Sequence, residues 1–216
     1  MLVGDPAAID HTLVAMIDAA PPAGACAGAA RIGAIEIAGG KVDLYSSALD
    51  CVSAQTHALA AETIAAAARH VLATAREGSH PFIAACLALV PELLRIAADE
   101  DWCLALEQRE RMRCLLRYLI ESNDLSPDAE PAIGMLDDAI LIHRFHSDFA
   151  VELADYADFD AFRASEAALR GIEADACHVS RRDWLGLRLV QARRARRAAQ
   201  ARWQPAPKTQ GLFRVH

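Results

Sequence analysis

Apolar residues recur near 3.6-residue spacing along most of this chain, a periodicity that restricts it to a set of packed amphipathic helices. Between residues 46 and 76 one such face runs through Ala48, Cys51, Val52, Leu59, Ala68, Val71, Leu72 and Ala75. Over residues 101–121 a second runs through Trp102, Leu106, Met112, Leu115, Leu116 and Leu119. Much of the 54% hydrophobic content is alanine, which loses no side-chain entropy in a helix, while aromatic residues make up 6%. The expected fold class is mainly α, a multi-helix bundle with a central helical hairpin, and 216 residues suffice to close its core.

Proline and glycine punctuate the pattern. A helix over residues 5–20 ends at Pro21-Pro22, one over residues 81–98 should kink or break at Pro91, and others follow at 135–156, 160–174 and 180–203. One stretch differs. Ile35 and Ile37 alternate with Glu36, and Val42 to Tyr45 follow Gly39-Gly40. This predicts a short β-hairpin near residues 34–45, with a small-residue helix as the alternative. Three regions result: residues 1–100 mostly helical, 101–178 around the central hairpin, and 179–216 a basic helix with a flexible tail. All three could also close into one compact domain.

The six cysteines are scattered, with no C-x-x-C pair to clip zinc or carry redox chemistry, and are expected to be free thiols in a reducing compartment. No charged leader precedes an apolar stretch at the start. The longest uncharged apolar stretch, residues 78–91, falls short of the roughly 18 to 20 residues that cross a bilayer. The expected location is cytoplasmic, without a transmembrane helix.

The most specific motif lies at residues 118–142, YLIESNDLSPDAEPAIGMLDDAILI. Tyr118, Asp124, Leu125, Pro127, Asp128, Pro131, Gly134, Leu136, Asp137 and Asp138 stand at the spacing of the core motif of the YkvA-like family of uncharacterised bacterial proteins, which this segment resembles. Glu121-Ser122 replaces the family's Ser-Pro, and Ala129-Glu130 replaces two apolar residues. The resemblance implies a bacterial source and a helical hairpin, and no activity.

The residues of this motif also have physical roles of their own. Ser126-Pro127 fits a helix start, with serine as the cap and proline at the first helical position. Asp137-Asp138 fall where the next helix begins, and the macrodipole favours negative charge there by roughly 0.3 to 1 kcal/mol each. The alternative is that Asp124, Asp128, Asp137 and Asp138 gather into an oxygen-rich site for Mg²⁺ or Ca²⁺. His143 and His146 could join it. The stripe Met135, Ala139, Ile142, His146, Phe149 and Leu153 instead places His146 in the core, with Arg144 and Asp148 paired on another face.

Charge divides sharply along the chain. From Arg181 onward ten basic residues face Asp183 alone, a net +9, and the whole chain at −7 leaves −16 on residues 1–180. Arg181, Arg182, Arg188, Arg193, Arg194, Arg196 and Arg197 share a helix with a stripe through Leu185, Leu189, Ala192, Ala199 and Trp203. These residues are the candidate interaction surface. Its favoured partner is acidic protein, this chain's own body or a second copy, ahead of nucleic acid and then membrane. No nucleophile-plus-base pattern is legible. The expectation is therefore a non-enzymatic regulatory or protein-interaction module, with a metal-dependent enzyme using the aspartates and a nucleic-acid binder using the arginines as alternatives.

Overall fold

The computed structural model describes residues 10–18, 30–32, 35–37, 39–53, 61–74, 80–120, 125 and 133–202. Among these residues the chain is mainly helical. The helices are α1 (His11–Asp18), α2 (Gly39–Val52), α3 (Ala61–Thr74), α4 (Pro81–Leu87), α5 (Val90–Ala98), α6 (Leu106–Tyr118), α7 (Leu136–Arg170) and α8 (Arg181–Arg202). The strands β1 (Ala30–Ile32) and β2 (Ile35–Ile37) pair antiparallel, with Arg31 opposite Glu36. The chain forms two compact units, residues 1–156 and 157–216, and α7 contributes to both.

A β-hairpin therefore exists, displaced from where the alternation placed it. Ile35–Ile37 is its second strand, and Gly39-Gly40 opens α2. Val42, Tyr45, Leu49 and Val52 are buried at helical spacing. The local period of two in residues 42–45 loses to a 3.6 period sustained over three turns.

In the first unit α1 lies against α3 and α2 against α6. Asp10 starts α1 by accepting the amides of Thr12 (3.1 Å) and Leu13 (3.0 Å) on its carboxylate, so Leu13 and Ile17 are buried on one side. Across from them α3 buries Ile64, Ala65, Ala68 and Val71, while Leu72, expected on that face, is exposed. The apolar run after residue 80 breaks as Pro91 requires, with Ala88 and Leu89 in a turn between α4 and α5.

Three contacts show that α6 and the first part of α7 form an antiparallel hairpin. Tyr118 meets Asp137, Arg111 meets Asp148 and Gln108 meets Glu152, so partners on α7 advance as those on α6 recede. The turn Leu136 to Ile142 is buried on every side, which marks α7 as the central helix. On α6, Met112, Leu115 and Tyr118 form the buried face. Leu116 is only half-buried, and Leu106, at the first helical position, is exposed. Trp102 is fully buried but precedes the helix, in a turn where the Asp99 carboxylate accepts the amides of Asp101 and Trp102.

The cysteines depart from expectation. Cys51 on α2 and Cys114 on α6 form a disulfide with Cα atoms 6.2 Å apart, while Cys86, Cys103 and Cys177 are free. Cys26 lies outside the described residues. Arg111 works beside the bridge. It donates to the Val52 carbonyl and pairs with Asp148, which also accepts from Ser53 (each 2.9 Å). Asp148 is thereby taken by Arg111 rather than Arg144, because Arg144 reaches α1, donating to the Ile17 carbonyl and facing Asp18.

The second unit holds the rest of α7, a 3-10 turn (Ala174–Ala176) and α8. Residues 157–159, expected between two helices, carry no breaker, and α7 runs unbroken to Arg170. Gly171, at φ +67°, ends it with a Schellman closure, in which the Ile172 amide donates to Ala167 (3.1 Å) and the Gly171 amide to Ala168 (3.3 Å). A capping box then starts α8. The Ser180 amide and hydroxyl donate to the Asp183 carboxylate, and the Asp183 amide returns to Ser180. Those bonds from Ser180 hold the exposed Asp183 carboxyl below its usual range.

Candidate functional site

The Asp pair stands where the sequence placed it, in the first turn of α7, but in the protein interior. Asp137 accepts hydrogen bonds on one carboxylate oxygen from the Tyr118 hydroxyl (2.8 Å) and the Leu125 amide (2.7 Å), and its carbonyl accepts from Tyr45 (3.4 Å). Burial, reinforced by the negative charge of Asp137, pushes both tyrosine hydroxyls well above their usual range. These bonds make Asp137 a staple, tying α6 and the Leu125 backbone to the start of α7 through one carboxylate oxygen. Asp138 is buried beside it. Asp124 and Asp128 lie outside the described residues. Among the described residues no group of three or more His, Cys, Asp or Glu side chains is placed to hold a metal ion.

His143 and His146 take other roles. His143 stacks obliquely on Phe82 and stands 3.5 Å from Asp18. His146 is partly buried, and that burial, with His143 near it, lowers its pKa against an opposing pull from Glu92. Met135, expected in the same core stripe, is instead exposed, with φ at +63°.

A second polar cluster was not legible in the sequence. Asp10 Oδ2 lies 2.8 Å from His70 Nε2 and 3.6 Å from His80 Nε2, and Thr74 Oγ1 lies 3.2 Å from the same His80 nitrogen. His80 caps α4, its Nδ1 accepting the Phe82 amide (3.3 Å). An Nδ1 that accepts leaves the neutral ring's proton on Nε2, so that nitrogen serves as a donor and neither binds a cation nor takes a proton from Thr74. Burial lowers the His80 pKa, opposed by Asp10.

The basic helix is the feature that the second unit leaves most open. Trp184, absent from the stripe drawn on the sequence, is buried and donates its indole N–H to Asp158 (2.7 Å), and Arg188 stands 3.5 Å from the same carboxylate. Residues 185 to 202 are all exposed. Leu185, Leu187, Leu189 and Val190 are 51, 40, 52 and 42% exposed. At about 100° per residue these four span roughly 200° of the circumference, and Trp184 closes the far side. The apolar residues therefore girdle the first half of α8, and arginines crowd the second. Among the described residues, Arg193, Arg194, Arg196, Arg197 and Arg202 make no ion pair. Trp203 lies outside the described residues.

Pro81–Ala98 is long and apolar enough, by length and composition, to cross a membrane, with mean hydropathy 1.8 and 28% of it buried. The sequence reading expected no such span. Core helices of soluble proteins pass the same measure, and Phe82, Ile83, Cys86, Leu93 and Ile96 are buried here.

Compared with protein-family models, with curated proteins and with solved structures, the chain matches none.

Proposed function

We propose that this protein is a non-enzymatic interaction module whose α8 helix is the element a protein partner grips. The observation that carries this reading is the girdle of Leu185, Leu187, Leu189 and Val190, four aliphatic residues 40 to 52% exposed within six positions. Exposed aliphatic side chains spread over roughly 200° of a helix, with Arg188 among them, fit a helix packed against a protein partner on more than one side. A membrane-surface helix would gather its aliphatic residues on one face. Binding of a polyanion needs the arginines and gives these side chains no role. An acidic protein surface uses both halves, burying the girdle and meeting the arginines with carboxylates.

The test is the native mass of the chain recovered from cells that make it. It should exceed the 23.3 kDa of one chain, and Leu185→Asp with Leu189→Asp should return it to one chain without moving the thermal midpoint. Recovery of the intact protein only as a single chain would refute the reading.

A second reading, nucleic-acid binding, is favoured by the five arginines after Val190 that form no ion pair among the described residues. Five phosphate contacts would make log K fall with log salt at a slope of about −4 to −5.

A further inference from the structure

Between the α7 and α8 segments of the second unit lies an open groove of about 340 Å³, lined by Ala161, Phe162 and Leu187 with Asp158, Glu166 and Arg188. A cavity of about 150 Å³ holds a benzene ring, so this one admits two aliphatic side chains. Its two carboxylates suit a cation carried next to those side chains. Asp158 already holds Trp184 and Arg188 through one oxygen, and Glu166 meets Arg170 at 3.2 Å.

The same unit carries a matching peg. Leu185 and Leu189 are half exposed on α8, and Arg193 and Arg196 follow within two turns. Building on the interaction role proposed for α8, we propose that its partner is a second copy of this chain. The Leu185 and Leu189 side of one α8 enters the groove of the other copy, and its arginines face that copy's Asp158 and Glu166. Each copy carries both socket and peg, and in an isologous pair each peg fills the other copy's groove, which ends the assembly at two chains. A polyanion would occupy the arginines and leave the groove empty.

Charge exchange tests this directly. One variant carries Glu166→Lys in the groove, and the other carries Arg193→Glu with Arg196→Glu on the peg. By light scattering the purified intact chain should have twice the mass of one chain. Each variant alone should be a single chain, since like charges then meet at both contacts, and an equimolar mixture should recover the doubled mass. Leu189→Asp removes the peg without altering a charge pair, and should give a single chain with undiminished helical circular dichroism. That result excludes misfolding as the cause of dissociation.

A purified intact chain that stays single, a doubled mass indifferent to all three variants, or a mixture that fails to recover it would overturn the proposal. If the purified chain is single while the assembly recovered from cells persists, the second copy is wrong and the interaction role of α8 stands.

Discussion

Replacing Cys51 and Cys114 together by serine should lower the stability of this protein by about 4 kcal/mol without changing its fold. The magnitude follows from the size of the loop. The bridge joins residues 63 apart in sequence, and closing a loop of that length in the unfolded chain removes entropy worth about 4 kcal/mol at 25 °C. In the native state α2 stays in place without the bridge, since Arg111 still donates to the Val52 carbonyl and Ser53 still meets Asp148. The effect therefore falls on the unfolded chain. For a domain of this length, about 2 to 4 °C per kcal/mol gives a fall of about 8 to 16 °C in the thermal midpoint. Thermal unfolding followed by circular dichroism, with and without a phosphine reductant, measures it. The reductant should lower the midpoint of the intact chain as far as the double substitution does and leave the double variant unmoved. Equal midpoints for oxidised and reduced chain would refute the reasoning.

Other substitutions probe the remaining supports. Leu115→Ala should cost about 2 to 5 kcal/mol in urea unfolding and Leu116→Ala clearly less, because only Leu115 is fully buried; equal losses would place the helical phase of α6 one residue away. Millimolar Mg²⁺ or Ca²⁺ should leave the thermal midpoint unmoved, since Asp137 is engaged by Tyr118 and Leu125; a rise abolished by Asp137→Asn would restore the cation site. His80 and His146, both lowered by burial, take up a proton less readily in the folded than in the unfolded chain. Stability should therefore be full above about pH 6.5 and fall as the pH drops below it, and His80→Asn, which keeps a capping side chain, should flatten that fall. At Asp10, burial pushes the carboxyl up, but bonds from Leu13 and His70 outweigh it and hold the pKa low. Its contribution is present above about pH 3.8 and is lost only in stronger acid.

The parts of this fold that were legible in the sequence share one property: they depend on neighbours along the chain. Most of the helices, the break at Pro91, the Asp pair in the first turn of α7 and the start of α8 follow from spacing and capping chemistry. What depended on distant residues was lost. Asp148 could be paired with Arg144 by spacing alone, yet α6 brings Arg111 to it. Cys51 and Cys114 carry no spacing signature, and only the packing of α2 on α6 joins them. The cluster of Asp10, His70 and His80 joins three separate helices and left no local mark. On α8 the arginines drew attention to charge. The buried residue is Trp184, which lies off the stripe through Leu185, Leu189, Ala192, Ala199 and Trp203.

The most direct test of the interaction role is a photo-crosslinking amino acid at Leu189, with the same residue at Leu106 as reference. Leu106 is 74% exposed on α6 and Leu189 52% exposed on α8. On irradiation of cells making the chain, adducts should form in high yield at position 189, vanish with Leu185→Asp, and stay at background at position 106. Equal yields at the two positions, or an adduct at 189 indifferent to Leu185→Asp, would contradict the account.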